Sequence, residues 1–356
     1  MSILIDTVRI SGFRGIANLE ITLPKTTVLI GANNAGKTSV IKALQLALGD
    51  YSRYLSEEDF HIDSSDTSVE KILVDIRVVP LGADYAKQLQ FEDEWLEEFE
   101  DRVQAEADGK QFMAIRTICA RDTVKGGFSV DRFALEQWPE FSDWTSLKTS
   151  TKKQLRKRFD SIPFISIDAQ RDIHQELREK NSFIGKVLSS VDYEQTDIDK
   201  IESMVAAVNE EAVNKSKPLK SLKTFLEDLN KSFDGNGKAE ITPFPKKIRD
   251  LSKQFTVHYG EKSSNSFSME YHGMGTRSWA SMLTVKAFSA LMAQKHEEEA
   301  KPFFPVLAAE EPEAHLHPNA QRAIYKQLTE SKGQVIISTH SPYLAAMADQ
   351  NEMRAL

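Results

Sequence analysis

Hydrophobic residues follow two spacings along the chain, and each spacing predicts a different kind of element. Short apolar runs near both ends have the length of buried strands: TVLI (27–30), FFPVLAA (303–309) and QVIIST (334–339). The N-terminal runs ILIDTVRI, LEITL and TVLI predict antiparallel strands, and KILVDIRVVP (71–80) predicts another strand. FMAIRTICAR and FSVDRFALEQW, which flank DTVKGG, predict a hairpin.

Helical spacing dominates three other segments. KTSVIKALQLAL (37–48) predicts a helix directly after a glycine-rich turn, and FEDEWLEEFEDRVQAEAD (91–108) predicts an acidic helix with Trp95 and Phe99 on its apolar face. Between residues 175 and 235, two apolar stripes around Val205 and Leu222 predict two amphipathic helices. Such helices cannot bury their stripes alone, so they pack on each other, on the rest of the chain or on a second copy.

Composition and charge narrow the class of protein. The 356 residues are 40% hydrophobic and 28% charged, as in a globular protein with two domains or with one domain and a large insertion. The net charge of -8 excludes a basic protein that coats nucleic acid. The only cysteine, Cys119, excludes an intrachain disulfide and indicates a cytoplasmic setting. No apolar run reaches the length of a membrane span, so no membrane contact is expected.

The stretch GANNAGKTSV (31–40) matches the pattern G-x-x-x-x-G-K-[ST] between a predicted strand and a predicted helix. Glycines let the backbone curl so that several N–H groups point at one anion, and the helix adds the positive end of its dipole. Lys37 is expected to reach the β- and γ-phosphates of a nucleoside triphosphate, and the Thr38 hydroxyl to bind Mg²⁺. The predicted nucleotide-binding residues are Gly31, Ala32, Asn33, Asn34, Ala35, Gly36, Lys37, Thr38 and Ser39.

Two acidic residues follow a predicted strand near the other end of the chain. Glu310 and Glu311 stand side by side after FFPVLAA, and adjacent residues of a strand point to opposite faces. We therefore assign Glu310 to Mg²⁺ and Glu311 to the general base that activates the attacking water. His340 follows QVIIST and is expected to hydrogen-bond the γ-phosphate. The alternative is a pair of core strands whose acids only face solvent.

Four motifs taken together carry a family resemblance. GFRGI (12–16), GANNAGKT (31–38), EEPEAHLHP (310–318) and STHSPYL (338–344) resemble the ATPase module of the OLD (overcoming lysogenization defect) nucleases, which belongs to the ABC-type heads of the SMC and RecF kind. The resemblance covers residues 1–60 and 265–350, and the middle of the chain matches only loosely. It implies an α/β fold, namely an ABC-type P-loop ATPase head whose mixed sheet has antiparallel N-terminal strands around a P-loop helix, with a helical insertion.

The resemblance also implies a domain organisation. Residues 1–174 form the first part of the ATPase, residues 175–240 form the helical insertion, and residues 241–356 form the second part. Dimerisation through the insertion is implied, with packing inside one chain as the competing interpretation. ABC heads hydrolyse ATP as dimers because a signature turn of one subunit caps the nucleotide of the other. Here that turn is expected at Gly273 and Gly275, with the next helix opening at Thr276, Arg277 and Ser278; the alternative is a glycine-capped loop before a core helix.

Three further residues acquire an interpretation through the resemblance. Gln170, after the strand-like FISIDA, is expected to contact Mg²⁺ and the attacking water, with Arg171 as the alternative. Arg14 of GFRGI is expected near the nucleotide, or else it is a structural residue of its turn. Glu310 departs from the aspartate that many ABC proteins carry, which leaves slow or metal-selective hydrolysis open.

The implied function is an ATPase that uses ATP and Mg²⁺ and forms a homodimer or higher homo-oligomer. Its ATP state regulates a Toprim nuclease that acts on DNA in defence against phage. OLD nucleases carry that Toprim domain after the ATPase, and the sequence given ends at Leu356 without it. We therefore expect either a longer natural chain or a separate nuclease subunit. The alternative is a RecF- or SMC-like ATP-switched DNA-binding clamp or scaffold.

Other charged patterns point to weaker hypotheses. The basic run LKTSTKKQLRKRF (147–159) fits a patch for the DNA backbone or the solvated basic face of a helix, and we favour the helix face. His315-x-His317 has no cysteine partners and makes a poor zinc site. Asp197-x-Asp199 begins a predicted helix instead of ending a strand, so we reject it as a Toprim motif.

Overall fold

A computed structural model describes residues 2–63, 67–82, 86–122, 126–167, 194–231, 243–244, 258–259, 267–268, 274–314 and 316–356. The chain divides into two compact units: the first comprises Met1–Arg171 and Gly273–Leu356, and the second comprises Asp172–His272. The second unit starts near the predicted insertion and also takes in residues 241–272, which the sequence pattern assigns to the second part of the ATPase. The functional division into three parts stays a prediction.

The described strands are, in chain order, β1 (Ser2–Phe13), β2 (Ile16–Thr22), β3 (Thr26–Ile30), β4 (Lys71–Leu81), β5 (Gln104–Ala105), β6 (Gln111–Arg121), β7 (Phe128–Leu135), β8 (Phe164–Ile167), β9 (His258–Tyr259), β10 (Phe267–Ser268), β11 (Val306–Glu310), β12 (Gln334–Ser338) and β13 (Met353–Ala355). The described α-helices are α1 (Lys37–Leu48), α2 (Asp93–Phe99), α3 (Gln195–Lys215), α4 (Lys217–Lys231), α5 (Met274–Glu298), α6 (Pro318–Thr329) and α7 (Pro342–Ala345).

An antiparallel sheet contains the N-terminal strands of the first unit. Its strand order is β2-β1-β4-β6-β5, and β7 also pairs with β6. The β6–β7 pairing is antiparallel and includes Cys119↔Val130, so the predicted hairpin is present. Asp75 of β4 and Arg116 of β6 lie opposite each other and form a fully buried ion pair within this sheet.

A parallel sheet ordered β13-β3-β12-β11-β8 forms the second sheet of this unit. β3 pairs with β12 at Val28↔Ile337 and with β13 at Leu29↔Arg354. The prediction that TVLI continues the antiparallel N-terminal strands is therefore wrong. Its uninterrupted apolar run is almost entirely buried, which is usual for a central strand of a parallel sheet covered on both faces.

The helix α1 packs against strands of both sheets: β1, β4 and β6 on one side, and β8, β11 and β12 on the other. Its residues Val40, Ile41, Leu44 and Leu46 have no exposed surface, as in a helix that lies inside a core. Burying each such side chain contributes about 1.5–3 kcal/mol. An antiparallel and a parallel sheet around this helix confirm the predicted α/β fold.

Gln334, at the start of β12, connects the parallel sheet to the antiparallel one. The β1–β2 pairing begins at Thr7, two residues after Ile5. In place of a β2 partner, Gln334 accepts a hydrogen bond from the Ile5 N–H at 3.1 Å and donates one to the Ile5 carbonyl at 2.9 Å. Because a buried backbone group without a partner costs about 1–3 kcal/mol, this fully buried amide substitutes for a missing strand neighbour.

The acidic segment after β4 forms a shorter helix than the sequence predicts. α2 ends at Phe99, Glu100 adopts a positive φ of 52°, and β5 then pairs with β6. Trp95 and Phe99 are buried as expected, and the Phe99 ring lies 5.2–5.4 Å from the rings of Phe91, Trp95 and Phe159. The packing of this aromatic cluster and the pairing of β5 with β6 therefore end the helix at Phe99, although the helical pattern of the sequence continues.

The basic run 147–159 also differs from its interpretation as a helix face. Its only helical piece is the 3-10 turn Thr151–Lys153. Lys153 forms an ion pair with Asp101 at 2.7 Å, and Arg158 contacts the Gly49 carbonyl at the C-terminal end of α1. A cation there complements the negative end of the helix dipole, so part of this run is structural.

The described part of the second unit consists of α3, α4, the β9–β10 pair and residues 243–244. α3 and α4 coincide with the two predicted amphipathic helices and pack on each other. The Asn209 side chain forms hydrogen bonds of 2.7 and 2.9 Å with the backbone of Phe244. Met204 and Val208 on α3 are exposed, and dimerisation through this unit stays a prediction. In the described parts of both units, no helix is long and apolar enough to cross a membrane.

Candidate functional site

The carboxyl ends of three parallel strands meet in one row at an edge of the parallel sheet. Ser338 of β12 lies opposite Leu29 of β3 on one side and opposite Glu310 of β11 on the other. Beyond the strands, the Thr339 N–H donates to the Leu29 carbonyl at 3.2 Å, and the Glu311 N–H donates to the Ser338 carbonyl at 2.9 Å. The glycine-rich loop after β3 and the predicted acids after β11 therefore start from the same edge.

The loop between β3 and α1 owes its curl to positive φ angles. Gly31, Asn34 and Gly36 have φ values of 151°, 63° and 101°. A Cβ at Gly31 would lie only 2.6 Å from the Leu356 carbonyl oxygen, so only glycine fits this position. Ala32, Asn33 and Asn34 at the tip are exposed to solvent. The backbone at this tip is thus accessible to a ligand.

The N-terminal end of α1 fits an anion. No side chain caps the helix at Gly36, and the first turn contains no acidic residue. An uncapped helix start leaves N–H groups and the positive dipole end available. The Lys37 ammonium lies inside the loop, where it donates to the carbonyls of Gly31 at 2.9 Å and Ala32 at 2.8 Å. Thr38 is exposed and Ser39 is buried, so only the threonine hydroxyl is accessible.

Glu310 is buried at the end of β11 and faces α1. Its Oε1 atom lies 2.8 Å from the Nζ atom of Lys42, which stands five residues after Lys37. The two charged groups form an ion pair without hydrogen-bond geometry, because in the described part of the chain Oε1 has no hydrogen-bond partner. Sequence reasoning assigned Glu310 but missed Lys42, whose position in a helical pattern gives no signal for a partner 268 residues away.

Glu311 lies on the solvent side of the strand end, next to His340. Its backbone has a positive φ of 45°, its side chain is half exposed, and its Oε1 atom lies 3.4 Å from the His340 Nε2 atom. Glu310 and Glu311 thus point to different environments, as their adjacent positions predict. The exposed carboxylate beside an imidazole is the chemically accessible one of the two.

Glu313 is a further buried acid of this edge that sequence reasoning missed. Its Oε1 atom accepts hydrogen bonds from the Thr339 hydroxyl at 2.5 Å and from the N–H groups of His340 at 3.0 Å and Ser341 at 3.2 Å. One carboxylate oxygen therefore fixes the start of the segment that carries His340. The repeated glutamate in EEPE was the available signal.

Arg14 forms the structural contacts of its turn. Its Nε atom donates to Asp59 at 2.8 Å, and its guanidinium also donates to the Tyr51 hydroxyl at 2.5 Å. Burial lowers the pKa of Arg14, but the hydrogen bonds and charge interactions with Asp59 and Tyr51 together outweigh burial and hold this pKa above its ordinary value. Burial and the Asp59 hydrogen bond raise the pKa of Tyr51 to about 12. Ile16, two residues on, approaches Gly36, and a role of Arg14 at a ligand stays a prediction.

Of the remaining predicted site residues, the structure describes some and not others. Gln170, Arg171, Gly273 and His315 lie outside the described residues. The backbone of α5 already begins at Met274, so Gly275 belongs to its first turn, and the expectation that the helix opens at Thr276 is wrong by two residues. A glycine there costs only about 1 kcal/mol relative to alanine.

His317 and the two aspartates of α3 have no metal partners within the described ranges. His317 caps the N-terminus of α6, where Pro318 is the first residue. The described residues contain no cluster of three His, Cys, Asp or Glu side chains that suits a metal ion. Asp197 and Asp199 lie at the start of α3, as the sequence predicts.

Comparisons with known proteins identify the relatives of this chain. A family model described as "AAA domain, putative AbiEii toxin, Type IV TA system" matches residues 26–346. The OLD nuclease of Thermus scotoductus is 23% identical over an aligned length of 379 residues. The alignment covers 99% of this chain and 61% of that protein. The Old nuclease of Escherichia phage P2 is 26% identical over an aligned length of 362 residues. The alignment covers 96% of this chain and 57% of that protein.

A third curated relative extends the same picture. The endonuclease GajA of Bacillus cereus is 22% identical over 355 residues, which cover 98% of this chain and 57% of that protein. The chain thus spans 57–61% of the length of these relatives. Their similarity confirms the resemblance to OLD nucleases that the four motifs predict.

Solved structures of similar proteins include an SMC head and the recombination mediator RecF. The SMC head bound to the C-winged helix domain of ScpA has a TM-score of 0.48 and 14% identity, covering 98% of this chain and 93% of that one. The recombination mediator RecF with ATP has a TM-score of 0.45 and 14% identity, with coverages of 96% and 94%. Since both TM-scores are below 0.5, the fold assignment rests on the strand topology and on the family match.

Proposed function

Since the chain belongs to the AAA domain family whose model it matches over residues 26–346, we propose that it binds and hydrolyses ATP as the ATPase module of an OLD-like nuclease. The observation that carries this proposal is the row of Leu29, Ser338 and Glu310 across three parallel strands. This row brings a glycine-rich loop with a lysine next to two carboxylates and a histidine. Triphosphate hydrolysis requires such a combination of phosphate binding and water activation.

Each residue of the edge has a role in this proposal. The loop N–H groups and the start of α1 bind phosphates, and Lys37 exchanges its two carbonyl partners for phosphate oxygens. Thr38 and Glu310 would hold Mg²⁺, which when bound neutralises charge on the phosphates. Glu311 accepts a proton from the attacking water, and His340, held 3.4 Å away, orients the γ-phosphate.

The finer part of the proposal follows the similarity to OLD nucleases. A second copy of the chain supplies the signature turn, with Gly273, Gly275, Thr276, Arg277 and Ser278. The ATP state regulates a Toprim nuclease that cleaves DNA in defence against phage, in the same natural chain or in a separate subunit. Coverage of only 57–61% of the curated relatives supports a further part in the complete system. The setting is the cytoplasm.

Phosphate release by the purified protein tests the proposal. With ATP and Mg²⁺, we expect turnover by the wild type, a loss of about 100-fold in Glu311→Gln with ATP binding retained, and a loss of ATP binding in Lys37→Ala. Glu330→Gln, a surface substitution at the end of α6, is the matched control and keeps wild-type turnover. Equal rates in wild type and Glu311→Gln would reject Glu311 as the base, and a wild type that does not bind ATP would reject the whole proposal.

One observation favours a second candidate, an ATP-switched clamp or scaffold of the RecF or SMC kind. Glu310, which the first candidate uses for Mg²⁺, is held by Lys42, and such a contact suits slow turnover. The same assay separates the two candidates. A scaffold binds ATP and changes its oligomeric state with little phosphate release, so Glu311→Gln has little turnover to lose.

A further inference from the structure

Lys42 and Glu310 connect the middle of α1 to the end of β11. The Lys42 Nζ atom lies 2.8 Å from Glu310 Oε1, and the two side chains are 19% and 10% exposed. Within the described ranges, no group donates a hydrogen bond to Glu310 Oε1. This carboxylate oxygen is thus buried beside a positive charge and lacks a hydrogen bond.

Such a pair is weakly held in comparison with a fully hydrogen-bonded one. Removing two charges from water is costly, and only good geometry with additional hydrogen bonds compensates for it. The Asp75–Arg116 pair of the same unit meets that condition, with two hydrogen bonds of 2.7–2.8 Å. Among the residues that the structure describes, the Lys42–Glu310 pair lacks such hydrogen bonds. A cation that coordinates the Glu310 carboxylate directly therefore stabilises it more than the Lys42 ammonium does.

A divalent cation and the Lys42 ammonium compete for the same oxygen. Mg²⁺ binds carboxylate oxygens at about 2.0–2.1 Å, and its double charge repels an ammonium group in contact with the same atom. The Lys42 side chain is partly exposed and has a flexible four-carbon stem, so its ammonium is able to move into solvent. Lys37, by contrast, is bound to the carbonyls of Gly31 and Ala32.

We propose that Lys42 is a built-in competitor of Mg²⁺ at Glu310. It neutralises the buried carboxylate before nucleotide arrives, and its displacement sets the Mg²⁺ concentration that nucleotide binding requires. Lys42 acts through Glu310 and is therefore a positioning residue. The inference rests on the proposed function, because it deepens the role of Glu310 in the same site.

Nucleotide binding during a Mg²⁺ titration tests this inference without any need for turnover. The probe is a fluorescent, non-hydrolysable ATP analogue at fixed concentration, followed by anisotropy. We expect Lys42→Met to reach half-saturation at a Mg²⁺ concentration about three- to tenfold below that of the wild type. Lys42→Arg keeps the charge and has the same or a higher midpoint. If Lys42→Met does not fold, Lys42→Gln serves in the same comparison.

Two controls separate a local effect from a change in net charge. Lys326→Met removes one positive charge from an exposed pair with Glu330 and keeps the wild-type midpoint. In a Glu310→Gln background, Lys42→Met causes no further shift, since the group on which it acts has lost its charge.

Three results would contradict the inference. An unchanged or higher midpoint in Lys42→Met overturns it and leaves the proposed function intact. A shift that persists in the Glu310→Gln background shows that Lys42 acts elsewhere and also overturns it. A wild type whose nucleotide binding is absent or independent of Mg²⁺ rejects the proposed role of Glu310, and the inference fails with it.

Discussion

Glu313 and His340 are joined across the strand edge by a hydrogen bond of 3.0 Å from the His340 N–H to the Glu313 carboxylate. The same oxygen accepts from the Thr339 hydroxyl and the Ser341 N–H, so the backbone that carries the His340 side chain is fixed by an acid 27 residues earlier. His340 in turn lies 3.4 Å from Glu311. The position of the proposed catalytic pair therefore depends on a residue outside it.

Replacing Glu313 by alanine is expected to affect both stability and turnover. The Thr339 hydroxyl and the His340 N–H lose their acceptor, while the Ser341 N–H keeps the Thr339 hydroxyl oxygen at 2.9 Å. We expect a loss of about 2–3 kcal/mol in the free energy of unfolding, measured by urea denaturation. Phosphate release falls more than ATP binding, because the phosphate loop is on another strand. Glu313→Gln keeps an oxygen for the three donors and loses less than half as much stability. Equal effects of both substitutions would argue against this role.

Gln334 is expected to be the most sensitive polar residue between the two sheets. Gln334→Leu keeps the approximate size but leaves the N–H and carbonyl of Ile5 without their partner, at a cost of about 2–4 kcal/mol. Urea unfolding measures the change. The control Gln294→Leu alters an exposed glutamine of α5 and shifts stability by less than about 0.5 kcal/mol. A similar shift in both variants would contradict the role of Gln334 as a substitute strand partner.

The buried pair of Asp75 and Arg116 is expected to behave as one unit. Arg116→Met leaves the Asp75 carboxylate buried without its partner and costs about 3–5 kcal/mol. The double variant with Asp75→Leu loses less than the sum of the two single losses, as a double-mutant cycle by urea unfolding will measure. Lys110→Met, in an exposed pair with Asp108, stays within about 0.5 kcal/mol of the wild type. Additive losses would show that the two charges are not coupled.

The thiol of Cys119 is expected to be protected in the folded protein. Burial raises its pKa from 9.0 to about 12. The unfolded thiol ionises first, so its contribution to stability is complete below pH 9 and is lost as the pH rises toward 12. Between pH 9 and 11 the free energy of unfolding should fall more steeply in the wild type than in Cys119→Ala. A thiol reagent at neutral pH should label Cys119 only after unfolding, and rapid labelling of the native protein would contradict this burial.

Several features were predictable because short segments encode them. Two of the three positive φ angles of the loop after β3 occur at Gly31 and Gly36, the glycines of its pattern, and α1 starts at Lys37, the lysine of the same pattern. The β6–β7 hairpin and the helices α3 and α4 follow from local periodicity. Glu310 and Glu311 occupy the predicted strand end because the apolar run before them fixes where β11 stops.

The sequence by itself determined the phosphate loop and the strand that ends in two glutamates, because each depends on neighbours within a few residues. The class of fold followed from the family resemblance that these motifs carry. The tertiary structure alone decided that β3 lies in the parallel sheet, that Lys42 faces Glu310, that Glu313 fixes His340 and that Gln334 completes β1. The physical reason is that sheet register sets these contacts. Lys42 and Glu310, or Gln334 and Ile5, meet only after distant strands have paired, and no local pattern records that pairing.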